Sequence, residues 1–236
     1  MSSTPFVLLS DLDDTLKISH STSHFRTVLR GLFTHDAYAG MAELYREMIG
    51  THSSLTILSS SPRVIRPKIE KFLNKNGFPK AEILLRDWIR QPEILKYKTE
   101  ALKRITSQSK VPFIFVGDDT EWDPEVFATL QTTCPEKILK IYIRRMRGRP
   151  LPDGMEPFHT AYEIALSEMT AGRLTPEQVI RVGHAIANAQ DLDHVIPYFA
   201  VCPENISSAP TFPELADIHS KILAKLMLIY ERRKIA

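Results

Sequence analysis

Two carboxylates, Asp11 and Asp13, stand one residue apart directly after the apolar run Phe6-Val7-Leu8-Leu9, and Thr15 completes the spacing Asp-x-Asp-x-Thr. A strand that is apolar throughout is buried on both faces, as in a parallel sheet. The carboxyl edge of such a sheet is where open α/β folds place their ligands. Carboxylates carried to that edge are costly to bury unless a cation or hydrogen bonds compensate them. The pattern therefore points to a bound metal ion, with phosphate as the group acted upon.

The elements that must position these residues alternate along the chain. Apolar strands are expected at 6–10, 55–58, 83–85, 113–116 and 138–143, with helices at 36–50, 62–76, 96–107 and 123–131 between them. A polar loop is expected from Lys17 to Ser23. Alternation of this kind predicts βαβ units and a mostly parallel sheet, with the strand ends on one edge. The fold class is thus α/β, a Rossmann-like three-layer parallel sheet. The chain changes character at Arg147-Gly148-Arg149-Pro150, and beyond it the pattern is helical. Thr175-Pro176-Glu177-Gln178 opens one helix with a capping box. Leu215, Ile218, Ile222, Leu226 and Ile229 form the apolar stripe of a last helix over 213–233. Residues 1–154 are read as the core and 155–236 as a helical extension packed on it.

Composition narrows the function classes. The chain has 236 residues and a net charge of +2, which argues against nucleic-acid binding as its task. Its two cysteines, Cys134 and Cys202, have neither metal-ligand nor disulfide spacing, so a reducing cytoplasm is the expected compartment. No secretory signal and no bilayer-spanning stretch are recognised, which leaves peripheral membrane contact open.

Other strand ends carry further groups. Ser59-Ser60-Ser61 follows the second strand, Lys96 and Lys98 open the helix after the third, and Gly117-Asp118-Asp119 with Asp123 follows the fourth. Each has an ordinary alternative: serines favour turns, helix lysines are solvated, and Asp123 before Pro124 caps a helix. Asp191-Leu192-Asp193-His194 repeats the Asp-x-Asp spelling, but polar sequence precedes it and Val195 replaces the threonine, so it is set aside.

In their order these groups resemble the four motifs of the haloacid-dehalogenase-like superfamily, mostly Mg²⁺-dependent phosphatases that pass through an aspartyl-phosphate. The resemblance implies Asp11 as nucleophile and Mg²⁺ ligand, and Asp13 as general acid and base whose backbone carbonyl is a further ligand. It implies Ser59 as a hydroxyl on a phosphate oxygen, with Ser60 and Ser61 as its rivals. Lys98 would pair with the nucleophile, Thr15 would fix the loop, and Asp118 and Asp123 would complete the Mg²⁺ site, with Asp119 as an alternative to Asp118. Asp14 is read as structural.

Residues 6 to about 150 are similar to a narrower family, the phosphatidate phosphatase catalytic domains of actin-patch-associated proteins. The likeness lies in Ser10–Lys17, Gly40–Tyr45, Ser59–Pro62, Leu84–Trp88, Lys96-Tyr97-Lys98, Phe113–Asp118, Asp123-Pro124-Glu125 and Ile141–Arg144. Ser60 stands where that family usually has asparagine, and Asp119 where serine is common. The resemblance implies phosphatidate or a related lipid phosphate as substrate. The short spacers leave no room for a large cap over the site, which suits a bulky substrate. Arg86, Arg144 and Arg145 are the cations that could face anionic phosphate or membrane, and Arg86 is assigned to substrate. The alternatives are a phosphatase for a soluble phosphomonoester and a non-catalytic phosphatidate-binding module. Retention of both Asp11 and Asp13 counts against the latter.

Overall fold

The apolar strand that delivers Asp11, β1 (Val7–Ser10), runs through the middle of a six-stranded sheet. The structure, a computed structural model, describes residues 4–18, 36–203 and 212–235, so the loop expected up to Ser23 lies outside the described residues from position 19 on. The other strands are β2 (Ser54–Pro62), β3 (Ala81–Arg86), β4 (Phe113–Asp118), β5 (Ile138–Arg144) and β6 (Glu156–Phe158). Their order is β3-β2-β1-β4-β5-β6, and every pairing is parallel. The chain moves outward in one direction from β1 to β3, then returns to β4 and moves the other way. The order reverses between β1 and β4, and a crevice opens outside the strand ends at such a reversal.

Parallel neighbours need crossovers, and here helices supply most of them. Helices α1 (Met41–Ile49) and α2 (Arg66–Lys75) cover one face, where Leu44, Tyr45, Ile69 and Phe72 pack with Leu8, Ile57, Ile114 and Val116. Helices α3 (Ile94–Gln108) and α4 (Asp123–Thr133) cover the other, where Leu102, Val126 and Phe127 pack with Leu9, Leu58, Phe115 and Ile143. Successive strand residues feed opposite faces, so the continuous apolar runs are what a doubly covered sheet requires. The expected three-layer α/β architecture is the one the chain adopts.

Beyond residue 158 come α5 (Ala161–Thr170), α6 (Pro176–Ala187) and α7 (Ala216–Ile235). Ile164, Val179, Val182, Ile186, Ile218, Ile222 and Ile229 extend the core on the α1 side of the sheet. The capping box expected at Thr175 forms with Gln178 in both directions. One element differs from the expectation of a purely helical segment: Glu156–Phe158 joins the sheet as β6 beside β5. Three residues carry no readable alternation, and Pro157 is tolerated because the strand lies at an edge.

Two helix starts also differ. The helix expected over 36–50 begins at Met41, because Gly40 turns the chain with φ 82°. The helix expected over 62–76 begins at Arg66, since β2 continues to Pro62 and a 3-10 turn, Arg63–Ile65, intervenes.

Candidate active site

Asp11 is locked to the sheet's centre: its N–H donates to the Val116 carbonyl at 2.9 Å, joining the end of β1 to β4. Below it, the Tyr45 hydroxyl donates to Ser10 Oγ at 2.8 Å, and Ser10 Oγ donates to the Asp11 carbonyl at 2.6 Å. Asp118 ends β4 next door. Gly117, one residue earlier, is required by close approach, since a Cβ there would lie 2.6 Å from Asp123 Oδ2 and 2.8 Å from Asp123 Cβ. Gly117→Ala is expected to cost about 1–3 kcal/mol of stability through that overlap. It should also displace Asp123 and lower turnover, and thermal unfolding and kinetics of the purified variant check both effects.

Three buried carboxylates, Asp11, Asp118 and Asp123, offer oxygens within 4.8 Å of one another. Lys98, at 2 % exposure, reaches into the group from the first turns of α3, with Nζ 2.8 Å from Asp11 Oδ1 and 2.6 Å from Asp123 Oδ1. Asp118 accepts from Thr15 Oγ1 at 2.9 Å, from the Thr120 N–H at 2.8 Å, and from the Thr120 hydroxyl. One ammonium among three carboxylates leaves surplus negative charge in a dry site, and the proton affinities follow. Burial pushes Asp11 well above the usual carboxylate range; Lys98 opposes this, while Asp123 and Asp118 add to it. Asp118 is pushed up to about 8 by burial and by Asp123 and Asp14. Burial disfavours the Lys98 ammonium, but Asp11 and Asp123 outweigh that and hold it charged. Hard oxygen donors with excess negative charge suit a divalent cation such as Mg²⁺.

Asp13 lies apart from this group and is the most open of the expected site carboxylates, with 35 % of its side chain exposed. Ser61 Oγ donates to Asp13 Oδ2 at 3.4 Å, and Lys17 Nζ stands 3.9 Å from Oδ1. Burial raises the Asp13 carboxyl, against the pull of Lys17. Its carboxylate is not among the three clustered ones. The turn that lifts Asp13 out runs through Asp14, which adopts φ 54°, a conformation aspartate tolerates better than most residues.

The β2 end shows which serine faces where. Ser59 is buried, and its hydroxyl accepts from the Ser61 N–H at 3.1 Å. Ser60 turns instead toward Glu121, its hydroxyl 3.4 Å from Oε2. Arg86, assigned to substrate from the sequence, directs its guanidinium at backbone: Nε to the Ser60 carbonyl at 3.0 Å and Nη1 to the Pro92 carbonyl at 2.6 Å. Trp88 Nε1 donates to the same Ser60 carbonyl at 2.9 Å. Arg86 therefore shapes the serine loop. Arg144 and Arg145 also turn inward: Arg144 is buried, donating to the Thr15 and His159 carbonyls at 3.1 and 2.7 Å, and Arg145 pairs with Asp119 at 3.2 Å.

Asp119 separates cleanly from Asp118. It accepts from the N–H groups of Met146, Arg147 and Arg149 at 2.7, 2.6 and 3.2 Å, so it anchors the loop after β5. Asp191 merely caps a 3-10 turn, Leu192–His194, through the Asp193 N–H at 2.9 Å.

Glu121 was not anticipated. It sits in the loop between Asp118 and Asp123, where burial raises its carboxyl, with Lys98 opposing and Asp123 and Asp13 adding. Its signal in the sequence is a second acidic residue, after Asp119, inside the Asp118–Asp123 spacer.

Carboxylates at the ends of β1 and β4, a buried lysine between Asp11 and Asp123, and a switch point between β1 and β4 define an open parallel α/β fold with an acidic site at its strand ends. Within it, the chain belongs to the family described as the phosphatidate phosphatase APP1 catalytic domain, whose model matches residues 6–145. The phosphatidate phosphatase APP1 of Saccharomyces cerevisiae is 28 % identical over 149 residues, covering 58 % of this chain and 25 % of that protein. An uncharacterized protein of Schizosaccharomyces pombe is 26 % identical over 148 residues, covering 58 % of this chain and 24 % of its own length. The chain thus spans about a quarter of the length of these curated relatives. A crystal structure of a HAD family hydrolase from Deinococcus radiodurans R1, with bound phosphate and sodium, aligns with a TM-score of 0.45 at 15 % identity, covering 73 % of this chain and 99 % of that one. Among the described residues, no helix is long and apolar enough to cross a membrane.

Proposed function

We propose that this chain is a Mg²⁺-dependent phosphatase that hydrolyses a phosphomonoester, phosphatidate or a related lipid phosphate, through an aspartyl-phosphate on Asp11. The observation that carries the reading is Lys98, buried between Asp11 and Asp123 and beside Asp118, with Asp13 at the open side. Membership of a phosphatidate phosphatase family supports the substrate class.

Asp11, Asp118 and Asp123 would hold Mg²⁺, and their surplus charge fits a divalent cation. Bound there, Mg²⁺ would neutralise phosphate charge and let a carboxylate approach an anionic ester. In the first step an Asp11 carboxylate oxygen forms a bond to phosphorus while the bond from phosphorus to the ester oxygen breaks. Asp13 gives its proton to the departing alkoxide, and its raised proton affinity suits that task. In the second step Asp13 takes a proton from water as the water oxygen bonds to phosphorus. The acyl-phosphate bond breaks, returning Asp11 and releasing inorganic phosphate. Ser59 donates to a phosphate oxygen, Lys98 holds Asp11 in line and offsets its charge, and Thr15 and Thr120 orient Asp118.

Turnover of a chromogenic phosphomonoester with and without Mg²⁺ tests the chemistry. Phosphatidate vesicles set against a panel of soluble phosphates test the substrate class. Preference for a soluble ester by orders of magnitude would leave the chemistry standing and remove the lipid assignment.

The cation carries a separate expectation. Asp118→Asn removes one charge from the crowded cluster and keeps an oxygen for Thr120. The metal-free variant should melt above wild type, by about 2–4 °C for each kcal/mol of repulsion relieved. Mg²⁺ should raise the melting temperature of wild type and leave the variant unmoved. Calorimetry in chelator and in excess Mg²⁺ reads both.

A further inference from the structure

We infer that the strand-end edge of the sheet docks onto an anionic lipid bilayer, with Val64, Ile89 and Trp122 as the side chains that enter it. The inference rests on the lipid-phosphatase reading for why this edge must meet lipid, and on exposure and charge for which residues do so. Val64 is 82 % exposed in the turn after β2, Ile89 is 93 % exposed in the turn after β3, and Trp122 is 45 % exposed in the loop after β4. Parallel strands put these three loops on one edge, the edge that carries Asp13 and Ser59. A lone exposed apolar side chain means little. Three on successive loops around one site form a rim. Separate protruding side chains suit a fluid surface that closes around each of them, whereas a folded partner needs a contiguous complementary patch. Tryptophan in particular favours the boundary between headgroups and acyl chains.

The charge beside Val64 and Ile89 is cationic, whereas Trp122 stands between Glu121 and Asp123, two acids that face Lys98. Arg63 precedes Val64 and Arg90 follows Ile89, and both side chains are largely exposed. Among the described residues the acid paired with both is Asp87, at 3.9 and 4.0 Å, beyond hydrogen-bond reach, and its Oδ1 already accepts from the Ile89 and Arg90 N–H groups. Exposed pairs of that length contribute little and leave the guanidinium groups available to lipid phosphates.

The experiment uses vesicles of phosphatidylcholine with about one-fifth phosphatidylserine, against phosphatidylcholine alone. Phosphatidylserine is a phosphodiester, so binding to it does not report capture in a phosphomonoesterase site. Wild type should co-sediment with the anionic vesicles, lose that binding at high salt, and show a blue shift of tryptophan emission that Trp122→Phe removes. The double variant Val64→Ser, Ile89→Ser should bind at least about tenfold more weakly, because two apolar side chains no longer leave water. Its turnover of a soluble chromogenic ester should match wild type, since neither residue touches the acidic cluster. The inference is overturned if wild type ignores the anionic vesicles or if the double variant binds them as well as wild type. It is equally overturned if the double substitution changes the oligomeric state without vesicles, which would make this edge a contact between copies. Vesicle binding as expected with no turnover of any phosphomonoester would leave the docking surface standing and remove the phosphatase reading.

Discussion

Asp11→Asn is expected to lower kcat by about 10³-fold or more while the protein stays folded. The amide is nearly isosteric with the carboxylate and keeps an oxygen for the Lys98 ammonium, which also retains Asp123 at 2.6 Å. What it loses is the anionic oxygen that the proposed route uses to attack phosphorus. Charge crowding points the same way for stability: one of three buried carboxylates disappears, so the melting temperature in chelator should be equal to or above that of wild type. Acid-quenched reaction of wild type with radiolabelled phosphomonoester should trap an acid-stable, hydroxylamine-labile phosphoryl group on the protein, and the variant should trap none. If Asp11→Asn keeps kcat within tenfold of wild type, water attacks directly and the covalent route is wrong.

Lys98→Met is the second large effect, and it strikes stability and activity together. Lys98 sits between Asp11 and Asp123 with almost no exposure, so its removal strands buried carboxylates without their counter-ion. Breaking a buried pair in this way costs about 3–5 kcal/mol. In a chain of this size that corresponds to a fall of roughly 6–20 °C in melting temperature, from about 2–4 °C per kcal/mol. Two further measurements separate this from ordinary core damage. Mg²⁺ should recover more stability in Lys98→Met than in wild type, because a second cation then does the neutralising. The double variant Lys98→Met, Asp123→Asn should also regain stability in chelator while its turnover stays at least about 10²-fold down, because the lost lysine no longer aligns Asp11. A double variant as unstable as Lys98→Met alone would show that the cost lies in packing.

These two residues show how unevenly the chain can be read. Asp11 was legible because its signal is local: an apolar strand, then the spacing Asp-x-Asp-x-Thr. Lys98 was separated from Lys96 only by resemblance, since two lysines one residue apart on a helix look alike in sequence. Their side chains point about 200° apart around the helix, and packing of α3 on the sheet buries Lys98 and leaves Lys96 exposed. Asp118 and Asp119 pose the strand version of the same question. Adjacent strand residues face opposite ways. Asp118 turns to the Thr15 side and the acidic cluster, while Asp119 turns to the backbone of 146–149. Arg86 was assigned by charge, and charge says nothing about reach: the nearest acceptors after folding are the carbonyls of Ser60 and Pro92.

The sequence by itself determined the alternation of strands and helices, the strand ends that carry acidic and hydroxyl groups, and the order in which those groups recur. Periodicity, caps and turn residues act over a few positions and are written where they act. The tertiary structure alone decided which neighbour of each pair faces the crevice, that β6 extends the sheet, that Glu121 joins the site, and that Arg86 and Arg144, the arginines that end β3 and β5, bind backbone. Those outcomes depend on pairing between segments far apart in the chain. Asp11 meets Lys98 across 87 positions and Thr15 meets Asp118 across 103, and no local pattern encodes such a distance.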